Sequence, residues 1–132
     1  MTKENIIKTK PLNVILGASD NPARASYIAA KLFQENRKEW IPIGIKTSTV
    51  LGKEILNLRE KPLIENVDTI TLYISPANQI EWYEYILSLK PRRIIFNPGT
   101  ENHELNSLAK SAGIKTENAC TLVLLSIGQY SD

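Results

Sequence analysis

Residues 14–27 read VILGASDNPARASY, and the reading of this stretch decides the fold. A short apolar run ends at Gly17. Small and polar residues, Pro22 and Arg24 follow, and then a helical pattern begins. A buried strand, a turn and a helix in that order form the unit on which α/β proteins hold phosphate groups, because the helix start presents unpaired N–H groups and a positive dipole end. The glycine-rich dinucleotide signature G-x-G-x-x-G is missing, since Ser19 and Pro22 stand where its second and third glycines would be. Ser19 brings a hydroxyl but keeps a ligand further from the backbone, and Pro22 has no N–H to donate. Arg24 adds a permanent charge and Ser26 a hydroxyl close to the helix start, a combination suited to phosphate. The alternative is a plain loop with Ser26 as the helix N-cap. These residues alone leave both readings open.

Outward from this stretch the same alternation repeats. Residues 12–17 (LNVILG) read as a buried strand, and Ile28, Ala29, Leu32 and Phe33 give residues 27–36 one apolar helical face. Residues 39–45 (EWIPIGI) are a second strand in which Pro42 calls for a position that needs no backbone N–H. Residues 46–66 are the least regular part, with a short extended excursion in VLGKEILNL and a brief helical turn in KPLIENV. Residues 68–75 (DTITLYIS) are a third strand. Ser75 and Pro76 then suit the N-cap and first position of a helix reaching about Lys90, with Ile80, Tyr83 and Leu87 on one face. Residues 92–97 (RRIIFN) are a fourth strand. A helix follows with Leu105, Leu108, Ala109 and Ala112 on its apolar face, Glu101 and Glu104 in its first turn, Thr100 as a possible cap and Gly113 just past its end. A short fifth strand (IKTE) and an apolar helix around CTLVLLSIG complete the chain.

Strands and helices alternating at this spacing predict an α/β fold: a three-layer, Rossmann-like open sheet of about five mostly parallel strands with helices on both faces. The 132 residues suffice for one domain, taken as 11–132, with residues 1–10 a polar arm. A net charge of +2 is too small to argue for nucleic acid or a membrane surface as partner. No apolar run approaches the length of a membrane helix, and a single cysteine, Cys120, fits a reducing cytoplasm.

In such a sheet, ligands sit beyond the carboxyl ends of the strands, where the strand order reverses. Four segments qualify: 17–22, 44–47, 74–78 and 96–100. The second lacks the acidic residue that a free ribose diol would require and offers Lys46, a partner for a further phosphate or simply a solvated lysine. Ile74 and Ser75 could form a wall topped by a helix start. Asn97 can hydrogen-bond through its amide, while Gly99 permits a tight turn. Catalytic and metal-binding constellations are absent: His103 is the only histidine and reads as surface, and Cys120 has no His–Asn company or metal-ligand spacing.

With those four strand ends in view, the chain resembles the stand-alone CoA-binding domain proteins, whose fold is shared with the N-terminal domain of the succinyl-CoA synthetase alpha subunit. The resemblance runs from about Leu12 to Tyr130. Its most specific part is GASDNPARASY, which follows a G-x-S-x-N-P-x-R-x-S-Y pattern, and ISPANQ and NPGTENHEL match the third and fourth strand ends. It implies a loop of Gly17, Ala18, Ser19, Asp20, Asn21 and Pro22 beside the CoA diphosphate, assisted by Arg24 and Ser26. It implies further that Lys46 answers the ribose 3′-phosphate, that Ile74 and Ser75 border adenine or ribose, and that Phe96, Asn97 and Pro98 lie on the pantetheine side. One departure is GIKTSTVLGKE after the second strand, where many members carry an Asn-Pro motif. The synthetase's phosphohistidine domain and ATP-grasp partner are lacking, so acyl-CoA synthesis does not follow from the shared fold.

The resulting expectation is a small soluble protein that binds CoA or acyl-CoA, without catalysis, metal or nucleic acid, alone or docked to another protein. A Rossmann-like interaction scaffold without nucleotide, presenting Trp82, Tyr83 and Tyr85, is the first alternative. An NAD(P)-dependent oxidoreductase is the second, and the missing glycine and acidic residue weigh against it.

Overall fold

The computed structural model describes residues 10–131, so the expected arm at 1–10 lies outside the described residues except for Lys10. Among the described residues eight strands and four α-helices follow one another: β1 (Leu12–Leu16), α1 (Ala25–Glu35), β2 (Glu39–Gly44), β3 (Thr49–Val50), β4 (Lys53–Glu54), β5 (Leu56–Asn57), β6 (Val67–Leu72), α2 (Tyr83–Ser88), β7 (Arg93–Phe96), α3 (His103–Ser111), β8 (Lys115–Asn118) and α4 (Thr121–Ser126). Six strands form one parallel sheet in the order β5-β2-β1-β6-β7-β8, and β3 and β4 form a small antiparallel hairpin. The chain moves outward from β1 to β2 and β5, then returns to pair β6 on the other side of β1. The order therefore reverses between β1 and β6, as right-handed crossovers in a doubly wound sheet require.

Alternation along the strands divides the core between two faces. Val14, Leu16, Ile70, Leu72, Ile94 and Phe96 pack with Trp82, Tyr85, Ile86, Leu105 and Ala109. Ile15, Trp40 and Ile95 face the other way and pack with Ala29, Ala30, Phe33, Leu125 and Tyr130. A period of two in the strands thus places α2 and α3 on one face, α1 and α4 on the other. Pro42 pairs only Ile15, because β5 reaches no further along β2 than Ile43, so its missing N–H faces no ladder partner.

Several sequence expectations are corrected by the structure. The sheet gains a sixth strand, β5, from the irregular segment, and KPLIENV is not helical: the 3-10 turn lies upstream at Leu58–Glu60. The single helix expected from Pro76 to Lys90 is two 3-10 turns, Pro76–Asn78 and Ile80–Trp82, followed by α2. The tighter winding turns the Gln79 amide inward, where Nε2 donates to the carbonyls of Ile74 (2.7 Å) and Thr100 (2.8 Å). It also rotates the apolar face: Ile80 is 61% exposed, while Trp82, Tyr85 and Ile86 are buried. Trp82 and Tyr85 therefore belong to the core and offer no scaffold surface. On α1 the buried face runs through Ser26, Ala29, Ala30 and Phe33, which leaves Ile28 outside. On α3 it is Leu105 and Ala109 that are buried, with Leu108 and Ala112 outside.

Candidate functional site

In a doubly wound sheet the reversal between β1 and β6 marks the ligand crevice, at the carboxyl ends of the strands, and Gly17 and Gly44 let the loops there pack closely. Gly17 has a φ of +100°, and a Cβ there would lie 2.9 Å from the carbonyl carbon of Tyr73, at the end of β6. At Gly44 a Cβ would lie 2.6 Å from the Ala18 carbonyl oxygen. Both positions thus exclude a side chain because backbone from the neighbouring strand end occupies the space. The amides of Gly17 and Ala18 donate to the Ile43 carbonyl at 2.8 and 3.0 Å, and Tyr73 N–H donates to the Leu16 carbonyl at 2.8 Å. Three strand ends are thereby held at one level.

The loop after Gly17 is shaped by its own side chains. Ser19 Oγ accepts from Asn21 N–H and Asn21 Oδ1 accepts from Ala23 N–H, each at 3.0 Å. These short-range bonds turn the chain sharply into α1. Arg24, not Ser26, occupies the N-cap position of α1, and no side chain caps the helix. Ser26 is 5% exposed, on the buried face, because it enters the helix one position after Ala25 and falls in register with Ala29 and Phe33. The exposed group at this helix start is the Arg24 guanidinium. No acidic residue lies in the first turn of α1; Tyr27 N–H already donates to the Arg24 carbonyl at 3.1 Å, so the N–H groups of Ala25 and Ser26 are the ones that suit an anion.

Lys46 joins the same region from the end of β2. Its Nζ lies 3.6 Å from Asp20 Oδ1. The nearby Ser48 hydroxyl, opposed by burial and aided by the Lys46 charge, holds the Asp20 carboxyl below the usual carboxylate range. Residues 20, 24 and 46 are therefore arranged around the β1 loop.

Across the crevice, Ile74 is half-buried and Ser75 exposed, and Ser75 Oγ accepts from Asn78 Nδ2 at 3.0 Å. Phe96 and Asn97 are buried, whereas Pro98 is exposed. The Asn97 amide is committed within the fold: Nδ2 donates to Thr71 Oγ1 (2.7 Å) and the Leu72 carbonyl (2.9 Å), and Oδ1 accepts from Thr121 N–H (2.8 Å). It ties β6 to the start of α4. Thr100 does not cap α3 but bonds back to the Asn97 carbonyl. Glu101 lies ahead of the helix and accepts from Gly99 N–H, and Asn102 is the cap, accepting from Glu104 and Leu105 N–H.

Residues that the sequence reading missed are Gln79, Asn102 and Thr121. Asn102 Nδ2 donates to Gln79 Oε1 at 2.8 Å, which completes a chain of amides from the end of β6 to the start of α3. Gln79 and Asn102 lie in ISPANQ and NPGTENHEL, the segments at the third and fourth strand ends, but nothing in either segment marks an amide as buried. Tyr73 is a further buried polar group: its hydroxyl is shut from solvent and has no hydrogen-bond partner. Burial pushes its pKa up to about 12. The Thr71 and Thr121 hydroxyls are near enough to oppose that shift without meeting hydrogen-bond geometry.

A cavity of about 370 Å³ opens at the amino ends of the strands, bounded by Asn13, Asp68, Arg92, Arg93 and Tyr130. The arginines there already serve the fold: Arg92 holds Asp68, and Arg93 bonds Thr69, Glu117 and the Tyr130 carbonyl. Among the described residues no group of three or more His, Cys, Asp or Glu is placed to hold a metal, and no helix is long and apolar enough to cross a membrane.

With this geometry established, residues 13–126 match the family model described as the CoA binding domain. The chain belongs to the CoA-binding domain family. A solved crystal structure of an uncharacterized protein is 50% identical to this CoA-binding domain, with a TM-score of 0.87 over 92% of this chain and 99% of the other. A protein of Thermus thermophilus is 22% identical with a TM-score of 0.77, covering 86% of this chain and 87% of its own. A hypothetical protein of Pyrococcus horikoshii OT3 is 24% identical with a TM-score of 0.73, covering 86% and 80%. At those identities the last two show the fold alone. No curated protein matches the chain.

Proposed function

We propose that this CoA-binding domain is a small, non-catalytic binder of CoA or acyl-CoA that holds the nucleotide across the carboxyl ends of β1, β2 and β6. The observation that carries this reading is the family match over 13–126, on a chain whose strand order reverses where Gly17 and Gly44 let the loops pack closely. The residues fit the group: a diphosphate calls for helix N–H groups and a cation, which the uncapped start of α1 and the exposed Arg24 supply beside the loop 17–22. In this reading Lys46 faces the ribose 3′-phosphate, and Ile74 and Ser75 border adenine or ribose. Pro98 meets the pantetheine arm, while Phe96, Asn97 and Ser26 act as the frame beneath. Bound CoA would supply a thiol for carrying acyl groups, and the protein's part is to bind, orient and release it. A single free cysteine suits a reducing, cytoplasmic setting.

Calorimetric titration with CoA, 3′-dephospho-CoA, NAD and ADP tests the reading. CoA is expected to bind most tightly, with dephospho-CoA weaker. Equal affinity for those two removes the 3′-phosphate from the recognised chemistry. Tight binding of NAD instead supports the oxidoreductase, and no heat from any of the four supports an interaction scaffold.

A further inference from the structure

The Lys46 ammonium is engaged by a residue of the β1 loop. Asp20 follows β1 and Lys46 follows β2, yet their charged atoms meet at 3.6 Å. The backbone beneath them is fixed: Gly17 and Ala18 bond the Ile43 carbonyl, and Gly44 admits the Ala18 carbonyl where a Cβ would collide. The side chains above are looser, 74% exposed for Lys46 and 30% for Asp20. A carboxylate is thus held at the mouth of a crevice proposed for an anionic ligand, paired to the cation proposed to meet one of its phosphates.

We propose that Asp20 is an internal competitor for the ribose phosphate, holding Lys46 in the free protein and giving it up when a 3′-phosphorylated nucleotide binds. The inference rests on the proposed CoA site. A phosphate monoester carries nearly two negative charges at neutral pH against one for a carboxylate, so it wins the ammonium. A ligand lacking that phosphate leaves the pair intact and gains nothing from Lys46. The pair therefore sets how strongly the site distinguishes the two ligands.

The test is a double-mutant cycle read by calorimetry, with Asp20→Asn and Lys46→Met singly and together, titrated with CoA and with 3′-dephospho-CoA. Asp20→Asn is expected to tighten CoA about fivefold more than it tightens dephospho-CoA, the scale of one exposed ion pair. In the Lys46→Met background that excess should shrink below about twofold. Weaker CoA binding by Asp20→Asn overturns the proposal, since Asp20 would then be positioning Lys46 for the ligand. Equal gains for both ligands, or an excess that survives Lys46→Met, overturn it as well. Wild-type protein that binds CoA while Asp20→Asn produces no such excess sinks this inference alone, whereas wild-type protein that binds neither ligand removes the proposed site and this inference with it. Unchanged melting temperatures, within about 2 °C, confirm that the variants report on binding and not on folding.

Discussion

At the scale of single residues, Gly44 is as decisive as Gly17, although only Gly17 sits in a motif. A methyl group at Gly44 would lie 2.6 Å from the Ala18 carbonyl oxygen, backbone that cannot give way without moving the loop after β1. Gly44→Ala is expected to cost about 1–3 kcal/mol of stability and to weaken CoA binding together with it. Thermal unfolding and calorimetry on the same variant check both parts. Asp68 offers a pH-dependent counterpart far from the site. Arg92 grips its carboxylate through Nε at 2.8 Å and NH2 at 3.1 Å, with help from the Thr69 hydroxyl and against partial burial, so the folded pKa lies below 3.8. A carboxyl whose pKa falls on folding stabilises the protein above its unfolded value and loses that contribution as pH drops through the folded value. Asp68→Asn should therefore lower stability at pH 7, by less than about 1 kcal/mol for so exposed a pair. Denaturant unfolding should show the difference fading as pH falls below 3.8. A difference that persists undiminished in acid would assign the loss to packing instead.

At the scale of elements, α1 separates folding from binding. Its inner face, Ala29, Ala30 and Phe33, is buried against the sheet, while its start carries exposed Arg24 and no cap. Arg24→Glu should reduce CoA affinity by roughly tenfold or more, because a phosphate would then meet a negative charge in place of a guanidinium. Stability should be unchanged or slightly higher, since an acidic residue at a helix N-terminus complements the macrodipole. Full affinity in this variant would remove Arg24 from the site. The segment 76–90 shows where reading elements from sequence reaches its limit. Ser75 and Pro76 promise a helix start, and the apolar spacing promises a face through Ile80. The buried Gln79 amide binds two carbonyls on different strand ends, however, and the chain winds as 3-10 turns to let it do so. A long-range hydrogen bond thus overrides a local preference worth only tenths of a kcal/mol per residue.

At the scale of the whole molecule, ligand binding and folding are linked. CoA at a hundred times its dissociation constant should stabilise the folded chain by about 2.7 kcal/mol, which for this length raises the melting temperature by about 10 °C. Thermal unfolding with and without CoA measures the rise, and its absence at saturating CoA would contradict the proposed site. The sequence by itself determined the parallel α/β architecture, the five principal strands and the segments that gather at their carboxyl ends. Each of these rests on local signals: apolar runs of strand length, helical periodicity, and Gly or Pro at the turns. Only the tertiary structure decided that β5 joins the sheet, that Ser26 and Asn97 serve the fold from inside, and that Asp20 holds Lys46. Burial and pairing between residues far apart in the chain depend on which strand ends become neighbours. The stretch GASDNPARASY carries the helix start and its charge in its own order, but not the Ile43 carbonyl or the Lys46 ammonium that meet it across the crevice.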